Sequence, residues 1–165
     1  MKKVNFSLKT STDGVASTEA LGESIGAQLQ IGDVICLIGG LGAGKTALTR
    51  GIGRGWGTTH RVTSPTFTLV NEYARKTDST ILYHLDCYRL MSADDVETIG
   101  LDDILSADGA VIIEWPQVAA EWLPEDYLWI EISIDSTDFA DDDSRQFIIN
   151  AYGPRSQAIL NQLIN

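Results

Sequence analysis

The apolar positions of this 165-residue chain fall into short blocks separated by polar turns, and their period changes from block to block. Residues 4–8 alternate apolar and polar, as a short strand with one covered face does. Ser17 then stands as a helix N-cap with Glu19 in the first turn, and Leu21, Ile25 and Leu29 recur at helical spacing. Residues 34–38, VICLI, contain no polar side chain apart from a thiol and read as a buried strand. That run stops at Gly39, and a second helix starts at Gly44 or Lys45, with Leu48, Ile52 and Trp56 along one face. Gly51, Gly53 and Gly55 each weaken this helix by up to about 1 kcal/mol relative to alanine, so tertiary packing must hold it.

Residues 66–70, 80–85 and 110–113 read as further strands. Between the last two, Ser92 caps an acidic turn containing Asp94, Asp95 and Glu97 that ends near Gly100. Pro116 suits the first turn of a short helix running to Trp122. Residues 128–134 and 146–151 pair as a hairpin, joined by a solvated loop holding Asp135, Asp138, Asp141, Asp142 and Asp143. Residues 156–164 close the chain as a helix. Strands alternating with helices specify an α/β sandwich with a largely parallel sheet, and the late hairpin adds antiparallel strands at one end.

Composition narrows the setting. The length suits a single domain over residues 1–165. No run approaches the roughly 20 apolar residues that cross a bilayer, and the two early lysines have no apolar stretch behind them, so the expected location is cytoplasmic with no membrane role. Cys36 and Cys87 lack metal or disulfide spacing, and Cys36 reads as a core residue. The net charge of −11 repels phosphate backbones, so no direct tRNA or other nucleic-acid binding is expected of the chain alone.

The chemistry concentrates in Gly39-Gly40-Leu41-Gly42-Ala43-Gly44-Lys45-Thr46, which fits G-x-x-x-x-G-K-[ST] without mismatch. Glycines let the backbone wrap so that successive amides converge on phosphate oxygens. Lys45 then neutralises the β and γ phosphates, the Thr46 hydroxyl reaches Mg²⁺, and the helix that starts at Gly44 or Lys45 points its positive end at the same anion, so Gly40 to Ala47 is the expected nucleotide-binding stretch. With an apolar strand before it and an amphipathic helix after it, this loop makes the fold a three-layer P-loop NTPase sandwich and ATP with Mg²⁺ the expected ligands.

Such a site needs a carboxylate near the metal at the end of a neighbouring strand. Asp86 ends ILYHLD and Glu114 ends AVIIE, and both are candidates as metal and catalytic residues. Thr63-Ser64-Pro65-Thr66 is a hydroxyl-rich turn where switch loops sense the γ-phosphate, or an ordinary turn into a strand. Arg89 serves transition-state charge or, by preference, a salt bridge to the acidic segment after it. Trp115 covers the nucleotide or sits in the core. His60 and His84 have no second metal-type ligand at sensible spacing and read as structural.

Four stretches in order, GGLGAGKT, SPTFTLV, HLDCYRL and IEWP, resemble the TsaE family of small bacterial ATPases required for threonylcarbamoyladenosine formation in tRNA. The resemblance covers residues 36–116. It implies an ATPase that acts on a partner threonylcarbamoyl-transferase complex of TsaD and TsaB type, without itself transferring the group. It further implies that Lys45 contacts phosphates, that Thr46 and Glu114 bind Mg²⁺, and that Asp86 and residues 63–66 form switch-like motifs. Three positions depart from the family pattern: Gly40 stands where Asp is frequent, Ala47 replaces a second Thr, and Cys87 replaces an aliphatic residue.

Two other classes share the loop. A small-molecule kinase would close an arginine-bearing lid over the phosphates, and the sequence has no clustered arginines after residue 89. A nucleotide-gated binding module would not need both carboxylates. Because no arginine finger is evident, weak intrinsic turnover is expected, with partner docking completing the site.

Overall fold

The structure, a computed structural model, describes residues 2–134 and 143–165. In chain order these form β1 (Phe6–Thr12), α1 (Val15–Gly26), β2 (Val34–Ile38), α2 (Lys45–Trp56), β3 (Val70–Ala74), β4 (Ile81–Asp86), α3 (Ala93–Thr98), α4 (Leu101–Leu105) and β5 (Gly109–Glu114). A 3₁₀ helix (Pro116–Trp122), β6 (Leu128–Ile134), β7 (Arg145–Ala151) and α5 (Pro154–Ile164) follow. The strands make one seven-stranded sheet in the order β1-β7-β6-β2-β5-β4-β3. Its centre is parallel, through the pairs β6–β2, β2–β5 and β5–β4. The late hairpin is antiparallel as expected, β1 adds to its outer edge, and β3 runs antiparallel on the opposite edge.

Strand alternation divides the core between two helical layers. Ile35, Leu37, Ala110 and Ile112 face α1, α2 and α5, where Ile25, Leu48, Ile52 and Ile159 are buried. Val34, Cys36, Val111 and Ile113 face the other way, onto Val96, Leu101, Ala119 and Leu123. Both faces of β2 and β5 are therefore covered, which is why VICLI and AVII carry apolar residues continuously rather than alternately. This is the three-layer sandwich. No described helix is long and apolar enough to cross a membrane.

Several local expectations shift. β1 begins at Phe6 and runs through Lys9 to Thr12, because an edge strand needs only backbone pairing to β7 and leaves alternate side chains in solvent. α1 starts two residues before Ser17. The Ser17 hydroxyl accepts the amides of Asp13 and Gly14 from inside the first turn instead of preceding it. Residues 66–69 form a turn rather than a strand, since Leu69 takes φ 67° and its amide returns to the Pro65 carbonyl at 2.7 Å. Ser92 does cap α3, in a reciprocal box with Asp95. Gly100 then starts α4, which the sequence reading passed over. α5 begins at Pro154, where Asp126 accepts the amides of Arg155 and Ser156 at 2.7 and 2.9 Å. Of the acidic loop, Asp143 is exposed, and Asp135, Asp138, Asp141 and Asp142 lie outside the described residues.

The glycines of α2 have a packing reason. A Cβ on Gly51 would stand 2.0 Å from the Glu19 carbonyl oxygen, and one on Gly55 would stand 2.1 Å from that of Glu23. From the other side, a Cβ on Gly22 would meet the Leu48 carbonyl at 2.2 Å. Glycine on both helices thus lets two backbones touch, and that contact sets the height of α2 and its leading loop above the sheet. Gly51→Ala gains up to about 1 kcal/mol of helix propensity but overpacks this contact at a cost of about 1–3 kcal/mol. Urea unfolding is expected to show net destabilisation. In Gly40→Asp the new side chain meets open space, and stability should stay within about 0.5 kcal/mol of the parent. A G51A chain as stable as the parent would refute the packing account.

Candidate functional site

Parallel pairing brings the chemistry together. β2, β4 and β5 all point their C-terminal ends at one edge, with Leu37 paired to Glu114 and Asp86 paired to Glu114. The chain leaves β2 at Ile38, turns through Gly42 (φ 75°) and Gly44 (φ 110°), and enters α2 at Lys45. Side chains other than glycine resist those two backbone conformations. Leu37 then accepts the Trp115 amide at 3.1 Å, and Glu114 accepts the Cys87 amide at 3.0 Å, stitching the three strand ends together.

A cleft of about 410 Å³ opens there. Its lining includes Leu41, Gly42, Ala43, Gly44, Lys45, Thr46 and Ala47 from the loop and helix, Ser64 and Thr66 from the hydroxyl-rich turn, and Asp86 and Glu114 from the strand ends. Gly39, Gly40, Thr63 and Pro65 stand outside that lining. Pro65 is buried beneath the turn, and Thr63 is exposed at its start.

Lys45 is mostly buried and donates to the carbonyls of Gly39 at 2.6 Å and Gly40 at 3.0 Å. Its ammonium also lies 4.8 Å from the centroid of the Trp115 ring. Burial draws it below the ordinary lysine value, against the opposing pull of Glu114 and Asp86. Trp115 therefore belongs to the cleft rather than the core. It takes φ 53° immediately after Glu114 and leans on Tyr88 at 5.1 Å between ring centroids.

The two carboxylates are held differently. Asp86 accepts the Tyr88 amide on Oδ1 at 2.9 Å and the Thr66 hydroxyl on Oδ2 at 3.1 Å. Ser64 and Thr66 share a hydrogen bond of 2.7 Å, so the turn hangs on Asp86. Its other end is tied to β3, where Tyr73 and Asn71 donate to the Thr63 carbonyl at 3.2 Å each. Glu114 instead meets the buried His84 through Oε1 at 2.8 Å. Both acids are buried, 6% and 4% exposed, so two like charges face the same cleft as Lys45.

Part of this arrangement is not visible in local spacing. His84 reads as structural from the sequence, and the structure adds its contact with Glu114. The usable signal was its position two residues before Asp86, on the same face of β4. Arg145, at the start of β7, donates through Nε to the Ala43 carbonyl at 2.9 Å, and nothing in local spacing links residues 102 positions apart. Val15, Arg50 and Tyr88 also line the cleft without having been singled out. Among the described residues Arg89 makes no ion pair with the acids that follow it; its guanidinium lies 4.9 Å from the Phe67 ring centroid. Among those acids, Asp95 spends its carboxylate on the amides of Met91 and Ser92.

The donor set, the Thr46 hydroxyl and the Asp86 and Glu114 carboxylates at the mouth of the glycine-rich loop, suits a small hard cation. Among the described residues no three His, Cys, Asp or Glu side chains cluster, as suits a cation that takes its remaining ligands from phosphate and water.

Fold and cleft together define an α/β protein in which a glycine-rich loop joins a central parallel strand to a helix at the sheet edge. A profile of the family described as "Threonylcarbamoyl adenosine biosynthesis protein TsaE" matches residues 12–146. A Bacillus subtilis (strain 168) protein named tRNA threonylcarbamoyladenosine biosynthesis protein TsaE is 38% identical over 157 residues, covering 94% of this chain and 93% of its own. A Streptomyces coelicolor protein of the same name is 40% identical over 136 residues, covering 82% and 90%. The crystal structure of Bacillus subtilis YdiB superposes with a TM-score of 0.76 at 32% identity, over 99% of this chain and 95% of that one. The chain belongs to the TsaE family.

The Lys45–Trp115 contact supplies an optical test. An added nucleotide phosphate should draw Lys45 off the indole, so ATP with Mg²⁺ is expected to change tryptophan emission in the parent chain but not in W115F. Equal responses in the two proteins would rule out Lys45 movement at Trp115 as their source.

Proposed function

We propose that this chain is the ATP-binding and ATP-hydrolysing, Mg²⁺-dependent subunit required for threonylcarbamoyladenosine modification of tRNA, acting on a partner threonylcarbamoyl-transferase complex of TsaD and TsaB type. The observation that carries the reading is the convergence of Lys45, Thr46, Asp86 and Glu114 on one cleft in a chain of the TsaE family.

Each residue then has a task. The loop amides around Gly42 and Gly44 bind phosphate oxygens, and Lys45 exchanges the Gly39 and Gly40 carbonyls for the β and γ phosphates. Thr46 and Glu114 hold Mg²⁺, which when bound neutralises charge on the phosphate oxygens. The hydrogen bonds of the two acids favour Glu114 over Asp86 as the metal ligand. Asp86 has both oxygens engaged by donors, whereas His84 engages only Oε1 of Glu114, leaving Oε2 for a metal. Asp86 acts instead through Thr66, tying the turn at 63–66 to the γ-phosphate position and orienting the attacking water. Tyr88 and Trp115 shield one wall of the cleft. Partner docking completes the charge stabilisation, and the partner holds the tRNA, because a net charge of −11 disfavours RNA on this chain alone.

The test is hydrolysis measured with and without the partner complex, alongside tRNA threonylcarbamoyladenosine levels in cells. Turnover is expected to be weak alone and faster with the complex. Lys45→Ala should lower it by about 10²–10³-fold, the usual cost of one preorganised charge-stabilising group. Label from the γ-phosphate should appear as free phosphate. Deletion of the gene with unchanged modified-nucleoside levels and no redundant copy would refute the proposal, and so would label on a small metabolite.

A further inference from the structure

We propose that His84 is a positioning residue that fixes the Glu114 carboxylate for the divalent cation, an inference that rests on the reading of Glu114 as a metal ligand. β4 and β5 run parallel with His84 paired to Ile112 and Asp86 paired to Glu114. The two-residue period puts all four side chains on one face of the sheet, the face toward α1 and α2. From there His84 reaches one pair forward along the neighbouring strand, and its Nε2 lies 2.8 Å from Glu114 Oε1. An ionised carboxylate only accepts, so Nε2 carries the hydrogen.

The imidazole has no other polar task. It is fully buried, and Nδ1 finds no hydrogen-bond partner among the described residues. Leaving a buried polar atom unpaired is unfavourable, and a residue serving the core alone would be apolar, as Leu82 is at the preceding position on this face. The bond to Glu114 is therefore the ring's polar function. It pins one oxygen of a side chain with three rotatable torsions and leaves Oε2 to the cation. Asp86 needs no such helper, since a backbone amide and Thr66 already hold both of its oxygens. The arrangement is a histidine–carboxylate–metal relay, with the histidine on the outer side.

The experiment uses the full chain with ADP and Mn²⁺, reading bound metal by electron paramagnetic resonance. His84→Gln carries an amide nitrogen to about the reach of Nε2, His84→Asn is polar but too short, and His84→Leu removes the donor. Leu and Asn are expected to weaken Mn²⁺ binding to the ADP complex by about 10–100-fold, the usual effect of losing a ligand's supporting hydrogen bond. ADP affinity in EDTA should be unchanged for every folded variant compared, and Gln should recover most of the metal affinity. If H84L does not fold, the contrast between Asn and Gln carries the same test. Parental Mn²⁺ affinity in the Leu or Asn variant, or a Gln variant as weak as Asn, would overturn the positioning role. A parent chain that binds Mn²⁺–ADP no better than Glu114→Ala overturns the reading of Glu114 beneath it, and shows this in the parent before any His84 variant is compared.

Discussion

The structure depends on the parallel register of β2, β5 and β4. Pairing Leu37 with Glu114 and Asp86 with Glu114 ends three strands at one level, and each end carries a different part of the site: a loop, then two acids. A shift of one residue in β5 would turn Glu114 to the opposite face, away from Lys45 and His84. What prevents the shift is burial on both sides. Val34 and Cys36 fill one layer while Ile35 and Leu37 fill the other, so the apolar side chains lock each strand against its neighbours.

The second constraint is the contact between α1 and α2. Glycines on both helices let backbones meet where a methyl group would lie about 2 Å from a carbonyl oxygen. Helix propensity is given up along α2 to obtain that proximity, and the helix is held by its neighbour instead. Because α2 begins at Lys45, its placement also fixes where the loop's terminal residues stand over the sheet edge. Packing between these helices thus bears on the geometry of the cleft they border.

The cleft itself is a balance of buried charges. Two carboxylates and an ammonium share a partly dry space, and each is held by a distinct set of hydrogen bonds. Lys45 rests on loop carbonyls, Asp86 on a backbone amide and a threonine hydroxyl, and Glu114 on a histidine. These contacts hold each group in a defined orientation within the cleft. The turn at 63–66 is fastened to Asp86 at one end and to Tyr73 and Asn71 at the other, which makes it a strap between the cleft and the sheet edge.

Much of this was legible in the sequence, because local chemistry demands it. Gly42, Gly44, Lys45 and Thr46 are specified by backbone conformation and charge within eight residues. The buried strands announce themselves by unbroken apolar runs, and their acidic ends mark Asp86 and Glu114. Other features were decided only when distant segments met. Gly51 and Gly55 of α2 look like defects until α1 lies against them. Residues 66–69 have strand-forming side chains but turn, since the hydroxyl of Thr66 finds Asp86 and Leu69 takes a left-handed conformation. Arg145 reaches the loop from across the sheet, and His84 becomes more than a core histidine only because β5 places Glu114 beside it. The sequence alone determined which residues form the glycine-rich loop and which acids end the central strands, through rules of short range. Tertiary structure decided which of them touch, because those contacts depend on strand register and helix spacing that no local pattern encodes.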